Sequence, residues 1–140
     1  MLFLGVRRTI HSSQDVLPPE REDLEHMYNR LNKPLTDEDR YNPNPSVLTV
    51  GARAVQKHAS RQSKNAYFWI GEDGSFNGMT ELEKNLKAEK VLEIVIDQCQ
   101  WINIHTLHQK SDAFILEIRN AIGFGARWEI QGQFRGLIEP

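Results

Sequence analysis

Two short frames, Gly51-Ala52-Arg53 and Gly125-Ala126-Arg127, each set an arginine among further cations and imidazoles. Lys57, His58 and Arg61 follow the first frame, and Arg119 and Arg135 flank the second. A guanidinium fork grips phosphate or carboxylate through two donors at once, and an imidazole adds a proton or a hydrogen bond. The chemistry this set suits is anion binding, with Arg53, Lys57, His58, Arg61, Arg119, Arg127 and Arg135 as the binding residues. Proton transfer is a second capability: His58 and His105 are the candidate bases, with Glu117 as the carboxylate that would orient His105. No nucleophile stands beside them. There is no serine elbow, and Cys99, the sole cysteine, follows an apolar helical run and reads as a small buried hydrophobe.

Other constellations give way to plainer readings. His105 and His108 are three apart on a strand-to-loop segment, and no third and fourth ligand stands at zinc spacing, so no metal site is expected. Gly71, Gly74 and Gly78 match neither dinucleotide nor P-loop spacing, and Glu72 and Asp73 would repel a phosphate. The run from Asp73 imitates a calcium loop, but its twelfth position is Lys84, where a bidentate glutamate is needed. No cofactor is implied. Trp69, Trp101 and Trp128 could stack bases, but Trp101 and Trp128 fall in alternating strands where core packing is the ordinary explanation. Phe124, between Gly123 and Gly125, is the aromatic expected at the surface.

The formal net charge of -2 excludes a global positive field of the kind a dedicated nucleic-acid binder shows. Residues 1–50 carry six basic and eight acidic side chains, and residues 51–140 carry eleven of each, so any anion binding must be local. A single cysteine excludes an intramolecular disulfide and fits a reducing compartment. No apolar stretch approaches the roughly 20 residues that span a bilayer. The first fourteen residues contain Arg7 and Arg8 and no acid, with Phe3, Val6 and Ile10 at amphipathic spacing. They resemble a mitochondrial transit peptide; an ordinary first strand or arm is the competing reading. The expected address is mitochondrial or cytoplasmic.

Leu24, Met27, Tyr28 and Leu31 share one face of a helix over Glu20 to Asn32 that needs something to pack on. Thr36 to Ser46 reads as linker. Ala52 to about Gln62 is a two-faced helix, with Ala52, Val55 and Ala59 inward and Arg53, Lys57 and Arg61 outward. Tyr67-Phe68-Trp69-Ile70 reads as a short aromatic strand. Thr80 and Glu83 form a capping box opening the longest helix. Four alternating segments follow, at Trp101–Leu107, Ala113–Asn120, Ala126–Gln131 and Phe134–Glu139. The expectation is an α+β fold: an antiparallel meander sheet of about four strands packed by one long helix, with a helical N-terminal arm. The division is 1–17 targeting segment or arm, 18–46 helical arm and linker, and 47–140 α+β domain. One sheet face is apolar and the other carries Glu117, Arg119, Arg127 and Glu129.

Gly51-Ala52-Arg53-Ala54, Lys57-His58, Arg61, Phe68-Trp69, Trp101 to His105, Glu117-Ile118-Arg119, Gly123 to Trp128 and Phe134 to Pro140 together resemble a small eukaryotic family of plant and fungal proteins with no assigned activity. The resemblance covers roughly residues 51–140. It implies that the marked Arg, Lys and His positions form a unit, and it implies no reaction. The chain departs from that pattern at Val55, where the family has a bulkier aromatic, at Ile70, where it has glycine, and beyond Pro140, where it has a polar tail.

The leading expectation is a non-enzymatic binding or scaffold module whose Arg/Lys/His surface meets an anionic partner: protein, RNA or nucleotide. The alternative is a small phosphate-handling or hydrolytic enzyme in which Arg53, Arg119 and Arg127 clamp the anion and His58 or His105 moves a proton. A third reading has cross-strand Glu-Arg pairs that only stabilise the sheet.

Overall fold

A computed structural model of the chain describes residues 6–8, 16–72, 74–107 and 110–140. The fold is α+β, and the chain divides into two compact units: Met1–Tyr28 with Leu92–Pro140, and Asn29–Val91.

The first unit is built on a five-stranded sheet, β1 (Arg7–Arg8), β2 (Trp101–Leu107), β3 (Lys110–Arg119), β4 (Gly125–Glu129) and β5 (Phe134–Ile138), lying in sequence order. β1 joins β2 in parallel; every other pair is antiparallel. Strand parity divides the two faces. Ile102, Ile104, Leu116, Ile118, Ala126 and Trp128 are all buried on one side. Helix α1 (Arg21–Tyr28) supplies part of their cover, burying Leu24, Met27 and Tyr28. The Trp128 indole N–H donates to the Leu24 carbonyl at 3.2 Å, and Tyr28 meets Phe134 edge-on at 5.0 Å. The sequence left this helix in want of a packing surface, and the sheet is that surface. Arg21 adds ion pairs to Glu25 (2.9 Å) and Asp97 (3.1 Å).

The second unit holds α2 (Val50–Ala59), α3 (Ala66–Ile70) and most of α4 (Glu81–Asp97), the longest helix. Thr49 caps α2 by accepting from the Ala52 N–H at 3.1 Å. The expected box at α4 is formed on both sides: Thr80 N donates to Glu83 at 2.9 Å and Glu83 N donates to the Thr80 hydroxyl at 3.2 Å. Glu81 ties the preceding segment down, accepting from the Ser46 hydroxyl and from the Val47 and Leu48 N–H groups. Those donors, the Ser46 hydroxyl first among them, hold its carboxyl below the ordinary glutamate value.

Three local expectations are overturned. Tyr67–Ile70 is not a strand but the body of α3, because a turn at Ser63 starts it and Gly71, at φ 65°, stops it. Four apolar residues in a row carry no period that separates the two states. Trp101 was assigned to the core and is 40% exposed. Phe124 was expected at the surface and is buried, because the chain turns tightly over it.

That turn depends on glycine. A Cβ on Gly125 would lie 1.7 Å from the Ile118 carbonyl oxygen of the neighbouring strand, a clash with backbone that no side-chain rotation relieves. Gly123, at φ 117°, provides the reversal just before it. Gly125→Ala is expected to cost about 3 kcal/mol or more, as overpacking against immovable backbone does, read as a lowered thermal midpoint by circular dichroism. A midpoint equal to that of the unaltered chain would contradict the close approach.

Candidate active site

On the face of the sheet opposite α1, strand alternation places Trp101, Asn103 and His105 of β2 beside Glu117 and Arg119 of β3 and Arg127 of β4. The register sets Asn103 and Arg127 on either side of Glu117, with His105 one diagonal step away. Glu117 is the hub. Its Oε1 accepts from Arg127 Nη2 at 2.7 Å and from His105 Nε2 at 3.0 Å, while Arg119 Nη2 lies 3.9 Å from Oε2. A carboxylate only accepts, so Nε2 of His105 carries the hydrogen. In the neutral ring this leaves the lone pair on Nδ1, whose neighbour is the Thr106 carbonyl at 3.4 Å.

Charge at the cluster does not cancel. One carboxylate faces two permanent guanidinium cations, and Glu117 is only 13% exposed while Arg127 remains 45% exposed. A partly buried acid is therefore fully paired while its partners keep outward donors and a surplus positive charge. Arg119 is fixed from its other side, donating to the Gly123 carbonyl at 3.0 Å. Asn120 organises that turn, its side-chain oxygen accepting from the N–H groups of Ile122, Gly123 and Phe124. The geometry can hold a phosphate against the two arginines and move a proton through His105.

The remaining sequence candidates fall elsewhere. Arg135 pairs loosely with Glu129 at 3.9 Å on the same sheet, an instance of the cross-strand pairing that the structural reading foresaw. Arg53, Lys57 and His58 lie on α2 in the other unit, and Arg61 follows its C-cap Ser60 in the turn beyond. There Arg53 donates to the Asn32 side chain at 3.2 Å, Arg61 lies 3.4 Å from His58 Nδ1, and His58 packs on the buried Trp69 with ring centroids 5.4 Å apart. His108 lies outside the described residues. No three His, Cys, Asp or Glu side chains gather as a metal set among the described residues.

Trp101, weighed from the sequence for base stacking but placed in the core, and Asn103, not singled out there, belong to the same face as Glu117. Their signal was parity: both share it with His105, whereas Ile102 and Ile104 take the buried side. The Arg7 guanidinium sits 5.5 Å from the Trp101 ring centroid.

A family model described as CdiA C-terminal tRNase toxin domain matches residues 38–139, more than two thirds of the chain. The chain belongs to this family. No curated protein and no solved structure matches it. Membership in this tRNase toxin family overturns the likeness to plant and fungal proteins. It also overturns the non-enzymatic binding or scaffold module as the leading function: a tRNase is a nuclease, and the hydrolytic alternative is the one it supports. A bacterial toxin domain argues against the mitochondrial address as well. No helix among the described residues is long and apolar enough to cross a membrane.

Cys99 takes no part in the cluster. It lines a shallow cleft of about 430 Å³ with Gln98, Gln100, Asn120 and Ile122. Burial pushes its thiol up to about 11, from an ordinary value of 9.0. The folded protein at pH 8 should therefore label with a thiol reagent roughly a hundredfold more slowly than the chain unfolded in denaturant, through its smaller thiolate fraction. Labelling at equal rates in the two states would show an accessible thiolate.

Proposed function

We propose that this toxin domain cuts the tRNA strand by transesterification at the Glu117 cluster. The observation that carries the reading is one carboxylate that holds both a proton-transfer group and a phosphate clamp: His105 Nε2 at 3.0 Å and Arg127 Nη2 at 2.7 Å. RNA carries its own nucleophile, the 2′-hydroxyl, so the lack of a protein nucleophile in the cluster is no obstacle. His105 takes the 2′-hydroxyl proton at Nδ1 while Glu117 holds the ring through Nε2 and stabilises the imidazolium that forms. The 2′ oxygen attacks the adjacent phosphorus and the bond from phosphorus to the 5′ oxygen breaks. The imidazolium returns its proton to that leaving oxygen. The products are a 2′,3′-cyclic phosphate and a free 5′-hydroxyl.

Arg127 and Arg119 supply the second half of the catalysis. Negative charge on the non-bridging oxygens grows as the fifth bond to phosphorus forms, and donors already held in place by Glu117 and the Gly123 carbonyl meet it without reorganising. Exposed Trp101, four residues before His105 on the same strand face, stands about 13 Å away by strand rise. An unpaired base stacked there would lead the strand across the cluster, which favours a single-stranded loop of the tRNA as the segment cut.

The test is incubation of the purified chain with tRNA, followed by analysis of the fragment ends. Fragments with 5′-hydroxyl ends, accepting label from a kinase without prior phosphatase treatment, are expected, and cleavage should persist in excess EDTA because the protons move through side chains. His105→Ala should lower kcat about 10²–10⁴-fold, the range of a general acid-base group, with an unchanged circular dichroism spectrum. Arg127→Ala should lower kcat and raise KM together. A His105→Ala protein that cuts at the full rate would overturn the assignment.

A further inference from the structure

The second unit holds a charge pattern that the cleavage chemistry does not use. From Arg40 to Gly71 the chain has no aspartate or glutamate, yet it carries Arg40, Arg53, Lys57, Arg61 and Lys64 in a protein whose net charge is -2. Within this stretch α2 fixes the direction of two of them and its C-terminal turn carries a third. Gly51, Ala52 and Val55 are buried along one side and Thr49 caps the helix start, so Arg53 and Lys57, four residues apart, share one exposed side, and Arg61 is exposed in the turn just past the C-cap Ser60. Helical rise spaces Arg53 and Lys57 about 6 Å apart, the order of the separation between successive phosphates on an RNA strand. Among the described residues no carboxylate pairs with any of the three.

Helix energetics do not account for this set. Lys57 in the last turn complements the helix dipole, but Arg53 stands next to the N-terminal turn, where a cation is unfavourable and no acid offsets it. The orientation of the set is also held. Arg53 donates to Asn32, Arg61 lies against the His58 ring, and that ring rests on Trp69, which is completely buried.

We propose that Arg53, Lys57 and Arg61 form a docking surface for the phosphate backbone of the tRNA substrate and take no part in breaking the bond. The inference rests on the tRNA-cleavage reading for its ligand. Phosphate contacts of this kind position a nucleic acid without reading its sequence, and each one releases counterions, so salt dependence is their signature.

The experiment measures intact tRNA binding to the full chain carrying Glu117→Gln, which removes cutting, with and without Arg53→Gln, Lys57→Gln and Arg61→Gln together, between 50 and 200 mM salt. Loss of three phosphate contacts should raise Kd at least about tenfold and flatten the slope of log Kd against log salt by about 2. In the chain with Glu117 intact, the triple change should raise KM and leave kcat within about twofold. Should the triple variant melt early, Lys57→Gln alone, at an exposed position, should flatten the slope by about 0.7–0.9. Unchanged Kd and slope would overturn the docking surface, as would a fall in kcat at constant KM. Neither result bears on the cleavage assignment, which stands or falls with His105→Ala.

Discussion

A carboxylate set near the middle of a sheet face, mostly withdrawn from water, has to be answered by cations, and Glu117 imposes that condition on everything around it. An unpaired charge at such a depth costs several kcal/mol. Arg127 across one strand boundary and His105 and Arg119 around it meet the requirement. The consequence runs in the other direction as well. Guanidinium groups held by an acid have lost their rotameric freedom before any ligand arrives, so their outward donors are preorganised. The pairing that a purely structural reading invokes and the phosphate clamp proposed for catalysis are the same contacts. They are compatible because one acid faces two permanent cations.

Backbone geometry decides whether those side chains share a face at all. His105, Glu117 and Arg127 lie on three strands, and a slip of one residue in either register would send one of them into the apolar layer. The register between β3 and β4 is pinned where Gly125 passes the Ile118 carbonyl too closely for any Cβ. On the other face, the Trp128 indole is fixed by the Leu24 carbonyl. The Gly125-Ala126-Arg127 frame thus acts first as a device of strand register: glycine for the close approach, alanine inward with no exposure, arginine outward. The binding role proposed for it follows from its position.

Periodic features were legible in the sequence and locally ambiguous ones were not. The sheet, the capping box at Thr80 and Glu83 and the amphipathic α1 all follow from spacing, because burying one face imposes a period on many residues at once. Tyr67–Ile70 has no period, and its helical state came from the turns at its two ends. Trp101 and Phe124 were exchanged between core and surface because a large aromatic was weighed by its type, when its parity relative to Ile102 and the tightness of its turn decide the matter. Glu117, Arg119, Arg127 and His105 could be named from sequence as residues of the right kind. That one carboxylate gathers both arginines as well as His105 depends on the register between three strands, Arg127 directly opposite Glu117 and His105 diagonal to it, which spacing along the chain does not encode.

An acidic overall balance leaves any anion binding to local charge, and for an extended polyanion local charge suffices for a physical reason. At physiological ionic strength the Debye length is about 8 Å, so a phosphate responds to the charges within a few side-chain lengths and hardly to the rest of the molecule. What matters is segregation. The acids of this chain are concentrated in its first 39 residues and from Glu72 onward, leaving residues 40–71 with cations alone. Around Glu117 the acids are present but outnumbered and internally satisfied. A chain of net charge -2 can therefore offer positive local fields in each of its two units while its remaining acids keep the global charge, and with it indiscriminate attraction to polyanions, low. For an RNA-cutting domain that separation favours binding that depends on where the cations stand over binding that depends on how many there are.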